Sequence, residues 1–115
     1  MAKKLTLKDK IAKIVDYCAL EKECAFDDKK VVFKVEIETT ASETGLINAC
    51  TNEIEDITSL IQSLKIAART AQDETKYVEE VWTVRVWVFV YKKDILIDEF
   101  PVDDYEINFE RGVEI

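Results

Sequence analysis

The sequence contains no histidine, so the commonest general base, proton shuttle and metal ligand is missing. Triads and zinc sites built on histidine are excluded with it. Glycine occurs twice, as Gly45 and Gly112, and proline once, as Pro101. That leaves no material for a glycine-rich phosphate loop or a flexible linker. The three cysteines, Cys18, Cys24 and Cys50, form no Cys-x-x-Cys pair. An odd count beside a good apolar fraction implies reduced thiols in a cytosol-like compartment. No stretch approaches the roughly 18 apolar residues of a membrane span. After Lys3 and Lys4 the chain is charged and amphipathic, unlike a signal peptide. The expectation is a soluble, cytoplasmic protein that uses no membrane.

What is present suits one domain over residues 1–115, with 48% hydrophobic residues to form a core. The formal charge is −8 and unevenly placed. Residues 1–15 carry five lysines and one aspartate, whereas residues 94–115 carry eight acids and only Arg111 as a base. Solubility accounts for such charge. A negative field that attracts a basic partner and repels nucleic acid accounts for it as well.

Periodicity gives the elements. Leu7, Ile11, Ile14, Val15 and Cys18 form one apolar stripe and predict a helix over 5–24, with Thr6 as N-cap and Asp9 completing a near capping box. Asp27 to Lys30 reads as a charged turn. Val31, Phe33, Val35 and Ile37 then alternate with Lys34, Glu36 and Glu38, which predicts a strand with one wet face over 31–40. Residues 41–46 read as a connection. Ile47, Cys50, Ile54, Ile57, Ile61, Leu64, Ala68 and Ala71 follow a heptad spacing and predict a long helix, with Asn52 and Glu55 as an alternative cap for a shorter one. Leu60 and Ala67 widen its stripe, which favours packing on the domain's own sheet over a coiled-coil dimer.

Residues 77–91 are apolar on both sides. Val78 and Glu80 lead into Trp82, Val84, Val86, Val88 and Val90 on one face, against Thr83, Arg85, Trp87, Phe89 and Tyr91 on the other. The first set is expected to face the long helix. Lys92-Lys93-Asp94 predicts a hairpin turn. A return strand over 95–100 follows, with Ile95 and Ile97 on one face and Leu96 and Asp98 on the other, ended by Pro101. Tyr105, Ile107 and Phe109 suggest a last strand, stopped by Arg111-Gly112. The expected fold is α+β, an antiparallel sheet of about four strands with one long helix across it and an N-terminal helix, in the order α-β-α-β-β-β.

No chemistry of catalysis emerges. The acidic pairs Asp27-Asp28, Glu79-Glu80, Asp98-Glu99 and Asp103-Asp104 show no sign of the contrasting environments that split carboxylate pKa values. Asp94, Asp98 and Asp103 lack the spacing of a calcium loop. Cys18 and Cys50 sit on apolar stripes, and Cys24 lies near a helix C-terminus that disfavours a thiolate. No catalytic residue, metal site or cofactor is expected.

The face of Arg85, Trp87, Phe89 and Tyr91 is different, because aromatics and arginine are enriched in protein interfaces and in single-strand stacking platforms. Three occupants compete for it. The first helix would make it a second core, a protein would make it an interface, and nucleic acid is disfavoured by the negative charge. The leading expectation is a non-enzymatic acidic protein that binds a protein partner through Arg85, Trp87, Phe89 and Tyr91, with Asp98, Glu99, Asp103, Asp104 and Glu106 supplying charge. As a class, small acidic α+β proteins include phage-type inhibitors (anti-CRISPR or immunity proteins) that block basic or nucleic-acid-binding surfaces. They also include small virion and assembly subunits, so the alternative expectation is a self-associating structural subunit. No motif carries either likeness.

Overall fold

The structure, a computed structural model, describes residues 6–25, 28–41, 45–50, 52–75 and 81–110, with residues 40–41 and 45–50 described by their backbone. Helix α1 spans Leu7–Glu23 and starts where the sequence places it. Thr6 Oγ1 accepts from the Asp9 N–H and Asp9 Oδ2 from the Thr6 N–H, both at 3.1 Å, so the capping box is complete. Ile11, Ile14 and Cys18 are its buried stripe.

Strand β1 (Lys29–Ala41) is followed by a strand that the sequence reading took partly as connection and partly as helix: β2, Gly45–Cys50. β2 pairs antiparallel with residues 36–41 of β1, from Glu36 opposite Cys50 to Ala41 opposite Gly45. Ile47 and Cys50 therefore belong to the sheet and not to a heptad seam. Helix α2 begins later, at Ile57, and runs to Glu74. Its cap is neither Asn52 nor Glu55 but Asp56, whose Oδ2 accepts the Ser59 N–H at 2.9 Å. From Ile57 onward the expected stripe holds. Leu60, Leu64, Ala67, Ala68 and Ala71 are buried, and the wide stripe packs on the sheet.

β3 (Trp82–Lys92) is the central strand. Val78, Glu80, Glu79, Asp27 and the Arg111-Gly112 stop lie outside the described residues, as do Lys3 and Lys4. One edge of β3 is paired along its whole length with β1, from Lys92 opposite Lys29 to Trp82 opposite Thr39. The other edge is shared. β4 (Ile95–Pro101) takes residues 87–92, the Val102 N–H donates to the Val86 carbonyl at 2.8 Å, and β5 (Ile107–Phe109) takes 82–84. A short 3₁₀ turn, Asp103–Tyr105, carries the chain between them. The sheet order is β2-β1-β3-β4, all antiparallel, with β5 beside β3.

The α+β architecture expected from the sequence is the one observed, with β2 as an added strand. Both helices join one core with Val31, Phe33 and Val35 of β1 and Val84, Val86 and Val88 of β3. The face assignment of β3 is thus correct. Among the described residues no helix is long and apolar enough to cross a membrane.

Candidate protein interface on the open sheet face

Side chains alternate along β1 and β3, so burying one set against the helices turns the other set to the opposite side. That side receives Val32, Lys34, Glu36 and Glu38 from β1 and Thr83, Arg85, Trp87, Phe89 and Tyr91 from β3. The register sets them in cross-strand pairs: Val32 with Phe89, Lys34 with Trp87, Glu36 with Arg85 and Glu38 with Thr83. Neither helix lies over this face. Trp87, Phe89 and Tyr91 are half-buried, whereas Val84, Val86 and Val88 on the helix side are fully buried.

Arg85 is the electrostatic centre. Its Nη2 donates to Glu106 Oε2 at 3.0 Å, and its Nη1 lies 3.7 Å from Glu36 and 3.8 Å from Glu38. Glu36 is itself buried, and its Oε2 accepts the Trp87 indole N–H at 2.9 Å. A buried carboxylate needs such partners, because desolvation without them costs several kcal/mol by roughly the scale of an ion moved from water. Lys34 Nζ sits 5.2 Å above the centre of the Phe89 ring, a cation–π contact. Thr83 donates to Asn108 Oδ1 at 2.8 Å and Tyr91 to Glu53 Oε1 at 2.9 Å. That bond to Glu53 pushes the Tyr91 hydroxyl above its usual range. The polar groups of the face are therefore tied to one another across strands, which holds the aromatic rings in place.

The expected charge set is divided. Glu99, opposite Phe89, and Glu106 belong to the open face. Asp98 stands opposite Val90 and lines a cleft with Glu21 and Cys24 of the helix layer. Asp103 and Asp104 are exposed in the 3₁₀ turn beside α1, where Tyr105 meets Tyr17 at 6.3 Å between ring centres. Burial and the Glu21 charge push the Tyr17 hydroxyl up, with Asp104 adding to it. Arg85, Trp87, Phe89, Tyr91, Glu99 and Glu106 thus come together, and Asp98, Asp103 and Asp104 do not join them. The expected pairing of Leu96 with Asp98 on one face is also overturned. A bulge at Ile97 breaks the alternation, so Leu96 lies opposite Tyr91 and Asp98 opposite Val90.

The sequence reading missed Lys34, Glu36, Glu38 and Glu53 as members of this face. The alternation of β1 showed the first three to be on a wet face; the antiparallel register with β3 was the missing information. Cys18 and Cys24 are free, and burial pushes the Cys18 thiol up to about 12, which keeps it protonated and inert. No group of carboxylates and cysteines able to hold a metal ion occurs among the described residues. In comparisons with known proteins, no family model, no curated protein and no solved structure matches this chain.

Proposed function

We propose that this chain is a non-enzymatic binding protein that docks the open face of its sheet on a basic protein surface. The observation that carries this reading is the set of half-buried aromatics, Trp87, Phe89 and Tyr91, on a face that neither helix covers. Aromatic rings fixed before binding lose little entropy on docking and serve as anchors. Glu38, Glu99 and Glu106 lie around them, and the net charge of −8 steers the chain toward positive potential. A basic surface of this kind holds phosphate when free, so occupying it inhibits nucleic-acid binding, as an inhibitor of the anti-CRISPR or immunity type would. The same charge opposes nucleic acid as a direct ligand.

The test immobilises the whole chain and its Phe89→Ala variant, identifies by mass the proteins each retains from lysate of the source cells, and repeats the retention as salt rises. The expected result is a basic protein held by the wild type, lost from the variant and released by salt. Retention indifferent to both changes overturns the proposal. So does sedimentation of the free chain as an oligomer that buries Phe89, which is the behaviour of a self-associating subunit.

A further inference from the structure

β4 stands at the end of the sheet, so its outer edge has no strand beside it among the described residues. Ile95, Leu96 and Ile97 on this strand are 66%, 44% and 48% exposed. Edge strands usually carry charge or proline at such places to repel other chains. Lys92 and Ile95 flank a two-residue turn, and the pair next to such a turn exchanges its hydrogen bonds. The next residue, Leu96, consequently turns its N–H and C=O away from β3 toward the free edge. Ile97 is the extra residue of the bulge and has no counterpart on β3.

Farther along, the same edge is closed. The Glu99 N–H donates to Asp98 Oδ1 at 2.9 Å, and Pro101 has no N–H to offer. The edge is therefore guarded over 98–101 and open at Leu96, with the exposed Ile97 side chain beside it. Its surroundings select a partner by charge. Asp94, Asp98 and Glu99 flank the open stretch, with Lys92 and Lys93 on the turn at its far end. A cleft of about 190 Å³ beside Ile97 has Val31, Val90 and Phe100 in its lining, with the carboxylates of Glu21 and Asp98 against the single amine of Lys29. Apolar walls with carboxylates suit the stem and the charged head of a lysine or arginine. A second copy of the chain fits poorly. Pairing Leu96 with its own copy sets Asp94 opposite Asp98, which Lys93 opposite Glu99 offsets only in part, and brings two chains of charge −8 together.

We propose that the β4 edge at Leu96 and Ile97 accepts an extended segment of another protein, apolar residues alternating with lysine or arginine, as an added strand of the sheet. This edge is separate from docking on the open face, and each can fail alone. The experiment selects a displayed library of short random peptides against the full chain and measures the affinity of the enriched peptides by calorimetry. Leu96→Pro removes the outward N–H at a position whose N–H β3 does not use, and Ile97→Lys puts a like charge in the path of a basic strand. The enriched peptides are expected to alternate apolar and basic residues, to slow amide exchange at Leu96, and to bind either variant about tenfold more weakly. Should Leu96→Pro fail to fold, as judged by circular dichroism, Ile97→Lys alone decides. Selection that enriches nothing, or peptides that bind the folded variants as well as the wild type, overturns the proposal. A concentration-dependent dimer abolished by either variant also overturns it, in favour of a second copy.

Discussion

On the helix side of the sheet Val84, Val86 and Val88 of β3 meet Leu60, Leu64 and Ala68 of α2, and nothing polar is needed to hold them. One residue along, on the open side, Arg85, Trp87 and Phe89 meet Glu36, Glu106 and Lys34 through charges and hydrogen bonds, with the buried Val32 as the apolar neighbour of Phe89. The same two strands thus serve two modes of cohesion. The helix side is held by area removed from water, which is non-directional and large. The open side is held largely by directed pairs, individually smaller, that leave the rings partly exposed. That difference separates a core from a prepared surface.

The two phenylalanines on β1 and β3 make the sharpest comparison. Phe33 is fully buried on the helix side, while Phe89 is half-buried on the open side beneath Lys34. Phe33→Ala is expected to cost about 3–5 kcal/mol through lost burial and a cavity. Phe89→Ala is expected to cost about 1–2 kcal/mol, because less area is lost and no cavity forms. Denaturant unfolding of both variants measures the difference. Equal losses would break the comparison and make the open face a second core.

Arg85 tests the open side on its own terms. Arg85→Met removes the guanidinium that Glu36, Glu38 and Glu106 share, an expected cost of about 2 kcal/mol. Adding Glu36→Gln to that variant recovers part of the loss, since it lowers the repulsion among the three carboxylates. If thermal unfolding shows no loss for Arg85→Met and no recovery in the double variant, the network is decoration and the rings are held by packing alone.

How far the two faces could be read from the sequence follows from the same division. The period of two in 31–38 and 82–91 shows both faces of both strands, because burial on one side fixes the alternation. The capping box at Thr6 and Asp9 is local, and so was legible. β2 was not. Ile47, Cys50 and Ile54 continue the spacing of the true helix backward by coincidence. What makes 45–50 a strand is the free edge of β1, a tertiary fact. Ile54 belongs to that same edge, exchanging two 2.8 Å hydrogen bonds with Phe33. The local signal that was overlooked is Asp56 three residues before Ser59, an N-cap in the right place. The division of the acidic set was equally hidden, since one bulged residue, Ile97, decides which side Asp98 takes.

The hairpin tip joins β3 to β4 and carries a local cost. Lys93 and Asp94 have φ of 50° and 66°, the left-handed region that a two-residue turn demands and that a lysine adopts unwillingly. Replacing the pair by Asn-Gly (Lys93→Asn with Asp94→Gly) is expected to stabilise the protein by about 1 kcal/mol, read from the denaturation midpoint. A lower midpoint would mean that the Lys93 or Asp94 side chain supplies a contact that outweighs the backbone relief.

The smallest expected effect concerns the cap of α2, on the helix side, where charge matters least. The Asp56 carboxylate accepts the Ser59 N–H, and this bond holds its pKa below the usual range. A depressed value in the folded state means that the charged cap adds stability above the unfolded pKa, about 3.9 for aspartate, and loses it as pH falls through the folded value. Asp56→Asn keeps the capping geometry and removes the charge. The variant is therefore expected to be slightly less stable than the wild type near neutral pH, with the gap closing as pH drops below about 4. Unfolding midpoints of the two proteins at several pH values measure this. A gap of constant size would show that the cap acts through its oxygen alone, and that charge stabilises only the open face of this sheet.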